Sequence, residues 1–300
     1  MYVITGATGK TGRIISNILL NQGNNIRVIA RNEKRLWDFE EHGAEIMPGN
    51  LLDKDFVVRA FKRAKIAYIM IPTDPVSGDI YQLQKTLVDN YIEAILQSDI
   101  THVVTLSSVG AHLPDRVGIV QGLYYMEQRL NQIEQLNLLH VRATYFMENL
   151  FRTIDMVKSA GKIMMSFNPR LKFPITAKRD VAKVIVQHLL DLDFDGKFVR
   201  YVLGERDLSF NEVADVLGKA IGNRDLIYSQ IMYENARSAL VRSGMSESVA
   251  DAQVDFIRAV NEGRVFERVK RTSDNTTPIS IEEFSRQYAL IYESRDPVIF

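Results

Sequence analysis

The chain opens with a short apolar run that leads directly into three closely spaced glycines. Gly6, Gly9 and Gly12 are followed by an amphipathic segment, and a second apolar run begins at Ile26. This order predicts a buried strand, a tight turn, a helix and a second, parallel strand. Units of this kind place the diphosphate of a dinucleotide at the N-terminus of the helix, so the opening residues predict a dinucleotide site.

Each of the three glycines meets a different structural requirement of such a turn. At Gly6 the absence of a Cβ allows the positive φ that a sharp turn out of a strand requires. Gly9 lets the backbone approach phosphate oxygens, and Gly12 lets the helix pack closely on the strand. The first helical turn adds unpaired N–H groups and the positive end of the helix dipole. We therefore expect this turn to bind the diphosphate.

The second strand ends at Arg31, the position that faces the adenosine ribose in dinucleotide folds. An acidic residue there would bind the ribose 2′-hydroxyl, whereas the planar guanidinium of Arg31 suits a 2′-phosphate. Lys34 and Arg35 follow and can add positive charge. The sequence therefore favours NADP over NAD. The alternative is that residues 32–35 only open a solvated surface helix.

Apolar and amphipathic segments alternate along most of the chain. We predict further strands at 43–47, 66–71, 103–106, 138–141 and 199–203, and helices at 54–64, 80–97, 119–136, 181–190, 209–221 and 280–292. Asp53, Asp180, Ser209 and Ser280 are the predicted N-caps, the two serines as parts of capping boxes. The alternation indicates an α/β fold, a Rossmann-type doubly wound parallel sheet with a smaller C-terminal, mostly helical substrate lobe.

The same pattern suggests how the chain divides. We predict a dinucleotide-binding core at 1–150 and a substrate or partner lobe at 151–300, with 180–204 returning to the core. Asn50 follows the third strand, where the adenine should lie, and Pro72 and Thr73 end the fourth strand, where the nicotinamide ribose should lie. We expect a substrate pocket at the carboxyl ends of the strands.

Composition limits the class of protein. The 300 residues are 46% hydrophobic, enough for a sizeable core, and the formal net charge is zero, which argues against direct binding of nucleic acid. Zero cysteines exclude disulfides and thiol catalysis, and the five histidines are not at metal-ligand spacing, so no metal is expected. No uncharged apolar run reaches the roughly 18 residues that span a bilayer, and the immediate start of the first strand leaves no room for a signal peptide. We expect a cytoplasmic protein.

Four segments together resemble one known family. The strings are Thr5-Gly6-Ala7-Thr8-Gly9-Lys10-Thr11-Gly12, Arg31-Asn32, Ser107-Ser108-Val109-Gly110-Ala111 and Tyr145-Phe146-Met147-Glu148-Asn149-Leu150. They are similar to the NmrA-like family, a branch of atypical short-chain dehydrogenase/reductases. The glycine turn is shared widely among reductases, whereas the string from Phe146 to Asn149 is much more specific to this branch. The resemblance covers nearly the whole chain.

The resemblance implies a Rossmann core that binds NAD(P), with NADP indicated by Arg31. Together with the glycine turn, the predicted cofactor-binding residues are Gly6, Ala7, Thr8, Gly9, Lys10, Thr11, Gly12, Arg31, Arg35, Asn50, Leu51, Ile71, Pro72, Thr73, Tyr145, Phe146, Met147 and Glu148. Members of the family fall into two groups. Some reduce quinones or azo dyes with NAD(P)H, and others bind the cofactor without clear catalysis and act as redox-sensing regulators.

Catalytic residues are harder to place. Reductases of the wider superfamily use a Tyr-x-x-x-Lys pair, in which the lysine lowers the tyrosine pKa for proton transfer. Here the residue four positions after Tyr125 is Arg129, and the residue four positions after Tyr124 is Gln128. Leu123 stands where several relatives have a lysine. Both tyrosines can instead be packing residues of an amphipathic helix. Ser108 could polarise a carbonyl, although serine after a strand is also common in turns.

The sequence is compatible with two alternative functions. The first is an NADPH-dependent reductase of a flat, apolar or aromatic acceptor such as a quinone, with Tyr124, Tyr125 and Ser108 as catalytic candidates. The second is a non-catalytic, NADP-sensing regulator that binds a protein partner, which the missing Tyr–Lys pair favours. Both fit a monomer or a homodimer.

Overall fold

Within residues 1–294, which the computed structural model describes, the chain forms twelve strands and eleven α-helices. The strands are β1 (Tyr2–Thr5), β2 (Ile26–Ala30), β3 (Glu45–Pro48), β4 (Ile66–Ile69), β5 (His102–Ser108), β6 (Asn137–Ala143), β7 (Tyr145–Phe146), β8 (Lys162–Met165), β9 (Phe173–Thr176), β10 (Lys197–Val202), β11 (Asp207–Leu208) and β12 (Ile227–Gln230). The helices are α1 (Lys10–Asn21), α2 (Trp37–Glu41), α3 (Lys54–Phe61), α4 (Ile80–Leu96), α5 (Gln121–Asn131), α6 (Ile154–Ala160), α7 (Lys178–Asp191), α8 (Phe210–Ala220), α9 (Tyr233–Arg242), α10 (Glu247–Asn261) and α11 (Ile281–Glu293). Short 3-10 helices lie at Glu33–Arg35, Gly118–Val120, Met147–Thr153 and Arg264–Phe266.

Seven strands form one sheet in the order β10, β6, β5, β4, β1, β2, β3. Every neighbouring pair in it runs parallel. The chain moves from β1 to β2 and β3 on one side, and then to β4, β5 and β6 on the other. This is a Rossmann-type doubly wound sheet, and the predicted fold class is confirmed. The reversal places a crevice at the carboxyl ends of β1 and β4, the usual ligand position in such sheets.

Helices cover both faces of the sheet because successive strand residues point to opposite sides. Ile4 packs with Ile15 of α1 and Val181 of α7 in one buried cluster. Val3, its neighbour, packs with Leu87 of α4 on the other face, where α3 and α5 also lie. The strands are therefore buried on both faces, as their continuous apolar runs predict.

The remaining elements form a second layer around a third buried cluster. β7, β9 and β11 make one small sheet, and β8 pairs with β12 in another. Helices α6, α8, α10 and α11 pack around them. The strands β7, β8, β9, β11 and β12 were not predicted, and they give this lobe more sheet than its sequence pattern suggests.

The chain returns from this lobe to the core after β9. Helix α7 packs beside α1, and β10 adds to the edge of the central sheet next to β6. These elements span 178–202, close to the 180–204 segment for which a return is predicted. Among the helices of residues 1–294, none combines the length and the apolar character that crossing a membrane requires.

Three of the four predicted N-cap residues cap their helices in the structure. Asp53 accepts a hydrogen bond from Phe56 N and caps α3, and Ser209 with Glu212 forms a reciprocal capping box at α8, so both predictions are confirmed. Ser280 caps α11 through Glu283 N. The prediction for Asp180 is wrong: α7 begins two residues earlier, and this buried carboxylate accepts a hydrogen bond from Ile279 N, 99 residues away in sequence.

Candidate functional site

The glycine turn has the geometry that a phosphate-binding turn needs. Gly6 has φ of +63°, and its carbonyl accepts a hydrogen bond of 2.9 Å from Gly9 N. A Cβ on Gly12 would lie 2.3 Å from the Gly6 carbonyl oxygen, so only glycine allows this approach. The backbone therefore forms a cradle that side chains at these positions would fill.

The N-terminus of α1 is open to an anion. Gly9 is its N-cap residue, no side chain caps the helix, and its first turn contains no acidic residue. The first turn thus offers orphan N–H groups and the positive end of the helix dipole, and no carboxylate of that turn competes for them. These residues fit a diphosphate group.

Two arginines lie beside this turn at the carboxyl end of β2. Arg31 is exposed and forms no hydrogen bond or ion pair with any of the residues 1–294. Arg35 donates a hydrogen bond of 3.0 Å to the Thr8 carbonyl and so rests against the glycine turn itself. A guanidinium without a partner and a second one on the turn fit the 2′-phosphate position.

The segment after β3 is shaped by local hydrogen bonds. Asn50 Oδ1 accepts from Leu52 N at 3.1 Å, while the Asn50 amide nitrogen has no partner within the described chain. The Leu51 carbonyl accepts a hydrogen bond from Asn90 Nδ2 of α4 at 2.9 Å, which fixes this loop against the core. Asn50 therefore keeps an amide donor that an adenine ring could use.

The end of β4 is held by a threonine of β1. Thr5 Oγ1 donates to the Tyr68 carbonyl at 3.2 Å and accepts from Met70 N at 3.1 Å. Tyr91 of α4 donates to the Met70 carbonyl at 2.9 Å. β4 ends at Ile69, earlier than predicted, and the predicted contacts Ile71, Pro72 and Thr73 form the irregular segment that leaves the crevice edge.

The two serines at the end of β5 have different surroundings. Ser107 is buried, and its hydroxyl donates to Glu127 Oε1 at 2.5 Å. Ser108 is half-buried, and its hydroxyl has no hydrogen-bond partner among the described residues. Since Ser107 is already engaged, Ser108 is the serine that can donate to a ligand.

A buried ion pair stands behind these serines. Arg142 of β6 binds both carboxylate oxygens of Glu127 of α5, and it donates a further hydrogen bond of 2.9 Å to the Tyr201 hydroxyl. Glu127 is 1% exposed and Arg142 8%. This pair was not predicted, because a lone glutamate and a lone arginine 15 residues apart in the sequence form no local motif.

The two candidate tyrosines lie on different faces of α5. Tyr125 donates to Asp89 Oδ1 of α4 at 2.8 Å and also contacts Arg129, which pairs with the same carboxylate. Burial and the bond to Asp89 raise the Tyr125 pKa, the opposite of what a tyrosine proton donor requires. This position argues against a catalytic role for Tyr125.

Tyr124 is placed differently. It precedes Glu127 by three residues on the helix, so the two side chains share a face, and Glu127 reaches the end of β5. Tyr124 is half-buried, and its hydroxyl forms no hydrogen bond within residues 1–294. It is the tyrosine that remains a candidate, without a lysine four residues later.

Residues 145–148 follow β6 and lead from the core into the lobe. The Tyr145 ring packs edge-on against Phe167, Phe173 and Phe210 in the lobe. Met147 is fully buried in the same cluster. Glu148 turns back, and both of its carboxylate oxygens accept from Lys178 N, at 2.9 and 3.1 Å. This carboxylate thereby caps α7, which the sequence did not reveal.

Within residues 1–294 no group of three or more His, Asp or Glu side chains is arranged to hold a metal ion. The residues that converge on the crevice are instead backbone donors, arginines and hydroxyls. Such a set suits phosphate and sugar groups.

The chain is similar to known proteins in sequence and in fold. The chain is 26% identical over 252 residues to an NAD(P)H azoreductase of Xenophilus azovorans, and the match covers 84% of each chain. An NADPH-dependent quinone oxidoreductase of Escherichia coli, solved with NADPH, superposes with a TM-score of 0.81 at 18% identity and covers 96% of this chain and 99% of that one. NmrA, a negative transcriptional regulator solved with NADP, superposes with a TM-score of 0.66 at 17% identity, covering 96% and 90%.

The family is decided by sequence rather than by these superpositions, which at such identities establish the fold alone. The family model described as the NmrA-like family matches residues 2–289, nearly the entire chain. This confirms the resemblance seen in the glycine turn and in the string from Tyr145 to Leu150. The chain is a member of the NmrA-like family.

Proposed function

We propose that this protein is an NADPH-dependent reductase of a flat, conjugated acceptor, a quinone or an azo compound. The single observation that carries the proposal is the uncapped N-terminus of α1 behind a glycine cradle, with the unpartnered Arg31 beside it. The similarity to an azoreductase and to a quinone oxidoreductase supports this acceptor class.

Each part of the crevice has a role under this proposal. The turn from Gly6 to Gly12 binds the diphosphate, Arg31 and Arg35 bind the 2′-phosphate, and the segment from Ile71 to Thr73 borders the nicotinamide ribose. When bound, the nicotinamide supplies a hydride. Ser108 donates a hydrogen bond to the acceptor atom on which negative charge develops, and solvent or Tyr124 supplies the proton.

The activity is tested by NADPH oxidation with a panel of quinones and azo dyes. We expect turnover with at least one acceptor and consumption of one NADPH per two-electron reduction. Absence of turnover above the buffer rate for every acceptor, in a sample that binds NADPH, would refute the reductase proposal.

Cofactor choice gives a sharper test at one residue. Arg31→Ala removes a charge-assisted contact to the 2′-phosphate, so NADPH binding should weaken by about 1–3 kcal/mol while NADH binding changes little. Calorimetry with both cofactors measures this, and Lys62→Ala, an exposed lysine just after α3, is the control. Equal losses for NADPH and NADH would contradict the 2′-phosphate assignment.

The second candidate is a regulator that senses NADP and binds a protein partner. The position of Tyr125 favours it, because a hydroxyl held by Asp89 and Arg129 leaves the superfamily's usual proton donor out of the crevice. The likeness to NmrA is consistent with it. Under this alternative NADPH binds, the acceptor panel shows no turnover, and light scattering detects a change of assembly on adding NADP.

A further inference from the structure

One buried carboxylate joins three elements of the core near the carboxyl end of the sheet. Glu127 of α5 accepts a hydrogen bond of 2.5 Å from the Ser107 hydroxyl of β5. It also accepts bonds of 3.0 and 2.5 Å from the guanidinium of Arg142 on β6. Arg142 continues to the Tyr201 hydroxyl of β10, the edge strand. The carboxylate therefore ties a helix directly to two neighbouring strands and, through the guanidinium, to a third.

Stability alone does not explain a charged pair at this position. Glu127 is 1% exposed and Arg142 8%, so both charges have lost most of their hydration. The attraction between two buried charges does little more than offset that loss, and apolar side chains of similar volume often stabilise a core equally well. What the pair adds is fixed geometry, because a planar guanidinium bound to both oxygens of a carboxylate holds one arrangement.

The two serines at the end of β5 point to opposite faces of the sheet. Ser107 bonds to Glu127 and so lies on the face that α5 covers. Ser108 is the next residue, and successive strand residues alternate between the faces. Its side chain therefore lies on the same face as Val104 and Leu106, which pack in the cluster that includes α1 and α7. The Ser108 hydroxyl has no hydrogen-bond partner among the described residues.

The backbone around Ser108 is held on both sides along the strand. Before it, the Ser107 hydroxyl is bonded to the buried pair. After it, Val109 N donates to the Ala143 carbonyl of β6 at 2.9 Å, and Ser108 itself lies opposite Ala143 in the register of the two strands. β5 is the neighbour of β4, at whose carboxyl end the crevice lies. The Ser107 bond thus helps to fix the direction of an unpartnered hydroxyl next to the crevice.

A second bond on the α5 face of the sheet offers a comparison. Thr105 of β5 lies opposite His140 of β6, and Thr105 Oγ1 is 2.9 Å from His140 Nδ1, with both residues buried. His140 is also bonded to Asn131 of α5. This bond ties the same elements together as the Ser107 bond does, but it lies two residues farther from the end of β5. It therefore stabilises the core without fixing the residue next to Ser108.

We propose that Ser107, bonded to Glu127, is a positioning residue for the reduction, which holds the Ser108 hydroxyl toward the acceptor without touching the acceptor itself. The inference rests on the proposed function, since the direction of a donor affects turnover only where an acceptor is reduced. It gives the buried pair of α5 and β6 a task in the reaction that is independent of a Tyr–Lys pair.

The test uses Ser107, because Glu127→Gln would leave the Arg142 charge buried and unpaired and could prevent folding. Ser107→Ala keeps the ion pair. Turnover is measured on the full chain with NADPH and whichever of 1,4-benzoquinone, 1,4-naphthoquinone and methyl red the native chain reduces fastest. Ser108→Ala removes the donor and should lower kcat by about a hundredfold. Ser107→Ala should lower kcat by about tenfold and leave the acceptor KM and the NADPH affinity within about twofold of native.

The double variant separates positioning from a general loss of packing. Once Ser108 is alanine there is no hydroxyl to position, so adding Ser107→Ala should lower kcat no further. Thr105→Val is the matched control, since it removes the other buried bond of β5 on the same face. It should lower the urea midpoint of unfolding and leave kcat unchanged.

Several outcomes would overturn the inference while the proposed function stands. These are an unchanged kcat in either single serine variant, a tenfold loss from Ser107→Ala in both backgrounds, and a loss of kcat in Thr105→Val as large as in Ser107→Ala. Absence of turnover by the native chain with every acceptor, in a sample that binds NADPH, would instead overturn the proposed function, and the inference with it.

Discussion

At the scale of single residues, the glycine turn leaves little freedom for substitution. Its three glycines meet different neighbours: a Cβ on Gly6 would lie 2.8 Å from the Met70 sulfur, whereas one on Gly12 would meet backbone atoms of Gly6. A flexible methionine can move, but a peptide group in the turn cannot move without opening it. Gly12 is therefore the most restrictive of the three positions.

Gly12→Ala should lower both stability and cofactor affinity. The new methyl group forces the turn away from α1, which we expect to lower the free energy of unfolding by about 1–3 kcal/mol and to weaken NADPH and NADH alike. Urea unfolding and calorimetry measure the two effects. Gly78→Ala is the matched control, since a Cβ there meets nothing within 4 Å at an ordinary φ. A stable Gly12→Ala protein with unchanged NADPH affinity would show that the cradle is not the diphosphate site.

Residue-scale prediction from the sequence succeeds where the reason is local. The positive φ of Gly6 and the caps Asp53 and Ser209 depend on neighbours within a few residues, and they were predicted correctly. Asp180 was misassigned because its partner Ile279 is distant in sequence. The same limit hid the capping of α7 by Glu148, 30 residues before it.

At the scale of elements, β6 is notable for two buried titratable side chains. Besides Arg142, it holds His140, which is 1% exposed and bonded to Thr105 of β5 at 2.9 Å and to Asn131 at 3.2 Å. Burial is the main reason that the His140 pKa falls to about 4; Arg142 and Lys197 lower it further, and Glu127 opposes them. The imidazole is therefore neutral in the folded protein near neutral pH.

This strand should make stability depend on pH in a defined range. Below pH 6.5 the unfolded chain binds a proton at His140 that the folded chain does not bind until pH 4, so stability falls as pH falls through that window. The slope contributed is at most about 1.4 kcal/mol per pH unit. We expect urea unfolding at pH 6.5 and 5.5 to show a smaller difference for His140→Gln than for the native chain. The exposed His42→Gln should keep the native difference, and equal differences in all three proteins would contradict this explanation.

Element prediction depends on length and pattern. The long apolar strands and the helices of the core were identified, although β4 and α5 are shorter than their hydrophobic patterns suggest. The four-residue strands β8 and β12 were missed. Each is stabilised by a partner about 65 residues away in the chain, and a segment this short and mixed in polarity shows no hydrophobic periodicity.

At the scale of the whole molecule, the chain crosses from the core into the lobe and back. It enters the lobe from β6 through β7, and it returns through β9 to α7. Helix α7 packs beside α1, the helix that begins at the glycine turn. A further contact joins the lobe to α4, where Ser248 Oγ accepts from Ile80 N at 3.1 Å. Helix α1 therefore lies beside the path by which the chain returns from the lobe to the core. Both candidate functions can use this arrangement, one to enclose an acceptor and the other to transmit occupancy to a partner.

The bonds from Thr5 and Tyr91 that hold the end of β4 have a kinetic consequence. Because Tyr68 and Met70 are tied to β1 and α4 by the protein itself, this edge of the crevice does not need a ligand to acquire its shape. Little conformational entropy is then lost there on association. Encounter of the dinucleotide with this edge should proceed as a single bimolecular step, and differences in affinity among cofactors should reside mainly in their dissociation rates.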